Sequence, residues 1–151
     1  MTTLIAKQVY LRIAKPEDLP LLEEMYESFS PPEVAMGLPP ADPERRRNWL
    51  KTLAGGINLL ALYEDKPAGH LALMLGERSA EMALFVHQDF RRRGVATALA
   101  NEAVRFCRER RLRALWVLIS SDNNAARTGL INYGFHTAWE SMGEVRMELP
   151  L

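Results

Sequence analysis

The stretch HQDFRRRGVATALANEAVRFC, residues 87–107, contains the pattern that decides the fold. It places three arginines and a glycine directly before an alanine-rich segment. Within that segment Leu99, Ala103 and Phe106 stand at i, i+4 and i+7, the spacing of residues that share one face of a helix. The pattern therefore predicts an amphipathic helix over about residues 95–111, with its apolar face toward a core.

Strand and helix patterns alternate on both sides of this helix. Apolar runs at residues 80–87 and 114–120 flank it, and a strand, a helix and a strand in this order form a crossover with the two strands parallel. The strands between residues 57 and 87 are joined by short turns, which predicts an antiparallel meander. The complete set comprises strands at 9–14, 57–64, 68–76, 80–87, 114–120, 135–140 and 144–149, and helices at 16–29, 43–54, 95–111 and 123–133.

The entrance to the central helix has the features of an anion site. Backbone N–H groups in a first helical turn lack partners and lie at the positive end of the helix dipole. Gly94 lets a ligand approach the backbone closely, and Ala96 adds only a methyl group. The pattern predicts a seat for phosphates, and it leaves two alternatives open: a surface for nucleic acid and a solvated helix start. Nineteen basic residues balance nineteen acidic ones, which argues against nucleic acid.

Composition narrows the class of protein further. A chain of 151 residues suits one domain over 1–151. Cys107 is the single cysteine, so no internal disulfide forms, and no Cys/His cluster has the spacing of a metal site. No run approaches the roughly 18 apolar residues of a membrane span, and the N-terminal residues lack the pattern of a signal peptide. We expect a cytoplasmic protein that uses no metal and binds neither nucleic acid nor membrane.

Two motifs together resemble the GNAT superfamily of acyl-CoA-dependent N-acyltransferases. The family motif Arg/Gln-x-x-Gly-x-Gly/Ala falls on Arg91, Gly94 and Ala96. A second mark, an asparagine about eleven positions before a Gly-Phe pair, falls on Asn123 and residues 134–135. Both stand in the order that the family shows. The resemblance implies a GNAT-like α/β fold: a mixed, mostly antiparallel sheet of about seven strands, helices on both faces and a splayed central strand pair.

The resemblance also implies acetyl-CoA as co-substrate and a set of residues that bind it. The backbone amides of residues 91–97 would hold the pyrophosphate, and residues 84–86 would pair with the pantetheine arm. Asn123 belongs to the second motif, although it can equally cap the helix that follows. The implied cofactor-binding residues are Leu84, Phe85, Val86, Arg91, Arg92, Arg93, Gly94, Val95, Ala96, Thr97 and Asn123.

Three residues are candidates for catalysis. An amine that attacks a thioester needs placement, removal of a proton and stabilisation of the oxyanion. Glu81 is the candidate base, with a solvent-exposed strand-end carboxylate as the alternative, and the N–H of Val86 is the candidate oxyanion donor. Many relatives carry a general-acid tyrosine where this chain has Leu130. Tyr133 is the candidate substitute, with core packing as its alternative.

The sequence thus predicts transfer of an acetyl group from acetyl-CoA to a primary amine, by direct attack in a ternary complex. The acceptor is a small-molecule or protein amine, and the resemblance implies that residues 31–42 and the helices that flank them roof its site. The formation of a homodimer is left open. The alternative function is a non-catalytic acyl-CoA-binding sensor or interaction module. His70, His87 and His136 are expected to be structural or surface residues rather than bases.

Overall fold

The computed structural model describes residues 3–6, 9–33 and 35–151. The strands are β1 (Thr3–Ala6), β2 (Val9–Ile13), β3 (Ile57–Tyr63), β4 (Lys66–Leu75), β5 (Ser79–Val86), β6 (Ala114–Ser120), β7 (His136–Glu140) and β8 (Glu144–Pro150). The helices are α1 (Leu19–Glu27), α2 (Pro43–Leu53), α3 (Val95–Glu109) and α4 (Asn124–Tyr133). Short 3₁₀ helices cover Pro16–Asp18 and Gln88–Phe90.

The eight described strands form one sheet in the order β1-β2-β3-β4-β5-β6-β8-β7. Each neighbouring pair is antiparallel except β5 and β6, which are parallel. The mixed, mostly antiparallel sheet predicted from sequence is confirmed, with eight strands rather than about seven. The added strand is β1, whose segment Thr3–Ala6 is too short and too uniformly apolar to show the alternation that marks a strand.

The splayed central pair is confirmed as well. Strands β5 and β6 pair only at Ser79↔Ala114, Ala80↔Leu115 and Glu81↔Trp116. Beyond these positions β5 stays paired with β4, and β6 stays paired with β8. The two strands therefore diverge toward their carboxyl ends and leave a wedge between them.

Helix α3 covers one face of the sheet with the apolar stripe that its sequence predicts. Leu99 and Ala103 are completely buried, as is Cys107. Phe106 lies at the edge of this core, beneath the guanidinium of Arg110 at 3.5 Å from the ring centre. Burying a leucine of this kind stabilises the fold by about 1.5–3 kcal/mol. The stripe fixes which side of α3 meets the sheet.

Gly69 sets how closely α3 approaches the sheet. A Cβ atom at this position on β4 would lie 2.9 Å from Cγ1 of Val95 and 3.0 Å from Cδ1 of Leu99. Real Cβ atoms hardly ever make contacts this short, so the first turn of α3 can pack here only against a glycine. Gly69 also pairs with Val86, the last residue of β5. The beginning of α3 is thereby held beside the end of β5.

Helices α1 and α2 cover the opposite face over a second core that contains His70. The Tyr26 hydroxyl donates to Nδ1 of His70 at 2.6 Å, and Nε2–H of His70 donates to Oδ1 of Asn58 at 2.7 Å. The Asn58 amide in turn donates to the Leu53 carbonyl at 2.8 Å. Burial lowers the pKa of His70 to about 4, so this histidine is neutral and structural, as expected.

The first predicted helix is divided in the structure. Residues Pro16–Asp18 form a 3₁₀ helix, and α1 begins only at Leu19. The reason is Pro20, which has no N–H to donate to the carbonyl of Pro16; the Leu19 N–H donates to that carbonyl instead. Asp18 fixes the turn by accepting two hydrogen bonds from Arg12, at 2.5 and 2.8 Å.

Within the described residues, no helix is long and apolar enough to cross a bilayer. The same part of the chain contains no group of three His, Cys, Asp or Glu residues arranged to hold a metal ion.

Candidate active site

The wedge between β5 and β6 is the mouth of a cavity of about 480 Å³. Its walls come from the free ends of the two strands, the first turns of α3, one side of α4 and the loop after α1. Eight residues predicted from sequence line it: Leu84, Phe85, Val86, Arg91, Ala96, Thr97, Asn123 and Tyr133. Glu81, Arg92, Arg93, Gly94 and Val95 lie outside this lining.

The free end of β5 turns unpaired main-chain groups toward the wedge. The N–H of His87 donates to the Ala68 carbonyl at 2.9 Å, so odd-numbered residues of this strand bond to β4. Residues along an antiparallel ladder alternate, and Leu84 and Val86 therefore point their N–H groups away from β4. Because β6 has diverged there, these groups open into the cavity. Phe85 differs from its two predicted companions: its main chain faces β4 and its ring lines the cavity.

The beginning of α3 offers free backbone donors. The first N–H bonded within the helix is that of Ala98, which donates to the Gly94 carbonyl at 3.0 Å. The amides of residues 95–97 precede it and have no helical partner. Gly94 adopts the left-handed conformation with φ 79°, and Arg92 does so with φ 61°. Successive N–H groups in such a turn form a concave site for anions.

The three arginines before Gly94 have different surroundings. Arg91 donates to the carbonyls of Val86 and Ser30, each at 3.0 Å. Arg93 donates to the Tyr63 hydroxyl at 3.1 Å and stacks on that ring. Arg92 is exposed and has no partner among the residues that the structure describes. Of the three guanidinium groups, that of Arg92 is therefore the least engaged.

Glu81 lies at the base of the wedge, where β5 and β6 last pair. Its side chain is half-buried, and burial raises the pKa of its carboxyl, opposed by the charge of Arg146. Arg146 itself stacks on Trp116 at 3.9 Å and donates to Glu148 at 2.8 Å. A carboxylate whose pKa is raised accepts a proton more readily, which suits a general base.

Tyr133 and Asn123, the two candidate residues at the ends of α4, both form hydrogen bonds in this structure. The Tyr133 hydroxyl donates to Oδ1 of Asn101 on α3 at 2.7 Å, and burial raises its pKa. Oδ1 of Asn123 accepts from the Ala126 N–H at 3.2 Å, so this asparagine caps α4 while it lines the cavity. Leu130, where many relatives have a tyrosine, forms part of the cavity wall.

Sequence reasoning missed part of the cavity wall. Phe29 and Ala35, in the loop between α1 and α2, line one side, and small residues of α4 line another. An added Cβ at Gly129 would meet nothing within 4 Å, so this helix leaves space for a ligand. The signal in the sequence was the spacing of Ala125, Ala126 and Gly129, which gives α4 one bare side.

The loop predicted to roof the acceptor is irregular, as expected. Glu33, Asp42 and Glu44 are all exposed, and Asp42 caps α2 by accepting from the Arg45 N–H at 2.9 Å. Val34 lies outside the described residues.

Comparison with known proteins identifies the family of this fold and site. The model of the acetyltransferase (GNAT) family matches residues 22–135. The chain belongs to this family, which confirms the resemblance seen in the sequence, and it is an acetyltransferase with acetyl-CoA as its donor. No curated protein matches the sequence significantly.

Solved structures of several bacterial proteins share the fold. A ribosomal-protein-alanine N-acetyltransferase from Brucella melitensis is 22% identical with a TM-score of 0.76, over 93% of this chain and 99% of that one. The GNAT domain of S. lividans PAT is 21% identical with a TM-score of 0.80, over 95% and 90%. The yncA protein of Salmonella typhimurium, solved with its cofactor acetyl-CoA, is 16% identical with a TM-score of 0.74, over 96% and 95%.

Proposed function

We propose that this protein transfers an acetyl group from acetyl-CoA directly to a primary amine, with both substrates bound together. One observation supports this above others: the unpaired edge of β5 leads from the half-buried Glu81 to the bare N-terminus of α3. A thioester arm with amide groups would satisfy that edge, and a pyrophosphate would satisfy the helix terminus. The cavity between them joins the two sites.

The donor would be held mainly by the main chain. Amides of residues 95–97 and the turn at Gly94 would take the pyrophosphate, with Arg92 as the nearest unengaged cation. The open main-chain groups of Leu84 and the open N–H of Val86 would take the pantetheine arm, since the Val86 carbonyl already accepts from Arg91. Charge-assisted hydrogen bonds of this kind contribute about 1.5–3 kcal/mol each, more than a neutral pair.

Glu81 would remove the proton of the acceptor ammonium, directly or through water. The negative charge that develops on the thioester carbonyl oxygen would then be stabilised by an open N–H of β5. The sequence named Val86, which lies five residues from Glu81, or about 17 Å along a strand. Leu84 is also open and lies three residues, or about 10 Å, away. If Glu81 is the base, the N–H of Leu84 is better placed than that of Val86 to donate to the oxyanion.

Tyr133 would protonate the departing thiolate. Its raised pKa keeps the hydroxyl protonated at neutral pH, as an acid requires, but its proton is engaged by Asn101 in this structure. A thiol of pKa about 8.5 also leaves as a free thiolate, so this step would need little help. The acid is the least demanding part of the mechanism.

The acceptor is a small-molecule or protein amine. A protein amine is supported by the fold shared with ribosomal-protein N-acetyltransferases and by an uncovered part of the sheet beside Glu81. That face carries Trp116, Arg146 and the 42% exposed Trp139. A cytoplasmic location, a single domain over 1–151 and a homodimer stay predictions.

Turnover with a panel of amines tests the proposal. We expect free thiol to be released from acetyl-CoA only when an acceptor amine is present, at a rate that depends on both concentrations. Thermal stabilisation by coenzyme A without thiol release from any amine would instead support the binding module that the sequence left as an alternative.

A further inference from the structure

The loop after α1 forms one wall of the cavity, on the side where the acceptor is expected from the sequence. Phe29 lines the cavity, is only 7% exposed and packs edge to face on Phe85 at 6.0 Å between ring centres. Because Phe85 belongs to β5, this contact joins the loop to a strand that borders the wedge. We call residues 28–30 the acceptor wall.

The side chain of Gln88 forms hydrogen bonds with the backbone of the acceptor wall. Its side-chain nitrogen donates to the Ser28 carbonyl at 2.6 Å, and its oxygen accepts from the Ser30 N–H at 2.9 Å. One side-chain amide thus bonds on both sides of Phe29, as a neighbouring strand would. The adjacent His87 adds a third bond, from its Nε2–H to Oγ of Ser28 at 2.9 Å.

Arg91 ties the same wall to the open end of β5. Its guanidinium donates to the carbonyls of Ser30 and Val86, each at 3.0 Å, and lies 5.4 Å from the centre of the Phe29 ring. Arg91 belongs to the motif that the family resemblance assigns to the cofactor. Its side chain nevertheless contacts the loop on the expected acceptor side of the cavity. The family resemblance assigns the backbone amide of Arg91, and not this side chain, to the pyrophosphate.

We propose that Gln88 and Arg91 are positioning residues that hold the acceptor wall, so that their side chains determine acceptor affinity rather than cofactor affinity. The inference rests on the proposed function for its kinetic part. Arg91 bonds to Val86, whose main chain lies on the edge offered to the donor, so the two substrates contact a common unit.

Three single variants test the assignment: Gln88→Ala, Arg91→Ala and, as the matched control, Arg92→Ala. Hydrogen exchange is measured in the free protein at the amides of Glu33 and Ala35, which bond within the loop beyond the wall and not to either varied side chain. We expect Gln88→Ala and Arg91→Ala to speed this exchange about tenfold, the scale of losing one good hydrogen bond, and Arg92→Ala to leave it unchanged.

Kinetics and calorimetry supply the second readout. We expect Gln88→Ala and Arg91→Ala to raise the KM for the amine about tenfold while the Kd for coenzyme A changes less than about threefold. We expect Arg92→Ala to raise the Kd for coenzyme A about tenfold and to change the KM for the amine less than about threefold. The assignment is overturned if Arg91→Ala weakens coenzyme A as much as Arg92→Ala does, or if exchange in the loop is unchanged in both Gln88→Ala and Arg91→Ala.

Failure of the proposed function would look different. A wild-type protein that binds no coenzyme A and acetylates no amine would refute acetyl transfer, whereas the exchange measurement would still decide whether Gln88 and Arg91 hold the wall.

Discussion

Glu81 and Trp116 are the last residues at which β5 and β6 pair. The carboxylate of the candidate base therefore lies at the point where the sheet divides, and the unpaired edge of β5 begins directly after it. If the pairing of β5 with β6 had continued, the main-chain N–H groups of Leu84 and Val86 would have found partners on β6. The same divergence creates the cavity and exposes the donors, so fold and site have one structural origin.

Replacing Gly94 by alanine should weaken coenzyme A binding with limited loss of stability. An added Cβ meets nothing within 4 Å in the protein, yet it would project into the space that the phosphates would occupy. Its left-handed φ of 79° adds about 1–2 kcal/mol of strain. We expect the Kd for coenzyme A to rise about tenfold, measured by calorimetry, the equivalent of one lost charge-assisted bond.

Gly143 provides the matched control for this variant. It also has a left-handed φ, 99°, and open space around an added Cβ, but it lies in the turn between β7 and β8. Gly143→Ala should lower the Tm by a similar few degrees and leave the Kd for coenzyme A unchanged. Equal affinities in the two alanine variants would show that Gly94 is not close to the ligand.

Glu81→Gln should lower kcat/KM most near neutral pH. An amine acceptor is an ammonium there and needs a base, whereas near its own pKa it loses the proton to solvent without help. We expect a loss of about 10²–10⁴-fold at pH 7 that shrinks as the pH rises toward 10, measured from initial rates. If the variant loses the same factor at every pH, Glu81 does not act as the base.

The same substitution should make the protein more stable at neutral pH. Burial raises the pKa of Glu81 in the folded state, so the fold favours the protonated carboxyl, and the stability this provides is lost as the pH rises through the folded pKa. Glutamine keeps the shape without the charge. The Tm of Glu81→Gln should exceed that of the wild type at pH 7, and the difference should vanish below about pH 4, where the carboxyl is protonated in both states.

The role of Tyr133 can be separated from its hydrogen bond. Tyr133→Phe removes the hydroxyl, and Asn101→Ala frees the same hydroxyl from its partner at 2.7 Å. If Tyr133 is the acid, the first variant should lower kcat about tenfold, less than the usual 10²–10⁴ because a thiolate leaves readily. The second should keep wild-type kcat. Equal losses in both variants would mean that the bond serves only to pack α4 on α3.

Much of this architecture follows from patterns within single segments. The alternation of strands, the stripe of α3 and the paired motifs at Arg91 and Asn123 predict the sheet order around the crossover and the place of the cavity. These are local signals of periodicity and chain order, which one sequence can carry. The donors at the start of α3 follow from the helix start that the sequence predicts. The open edge of β5 was implied by the resemblance to the family and not by any pattern within the segment.

The contacts that sequence did not reveal are those between distant segments. The bonds from Gln88 to Ser28 and Ser30 join residues about sixty positions apart, and no local pattern marks them. The close approach of α3 to Gly69 is of the same kind. Side-chain direction was a further limit, since the sequence grouped Arg91 with Arg92 although their guanidinium groups have different partners.

The buried network at His70 should make stability depend on pH. The folded pKa of about 4 lies below the ordinary value of 6.5, so the unfolded chain binds a proton first as the pH falls. Stability from this group is complete above pH 6.5 and is lost as the pH falls toward 4, by on the order of 3 kcal/mol. His70→Gln keeps one donor and one acceptor and should reduce the fall in unfolding free energy between pH 7 and pH 5, measured by urea titration. His136→Gln, at an exposed position, is the control and should leave the slope as in the wild type; an unchanged slope in His70→Gln as well would assign the pH dependence to other groups.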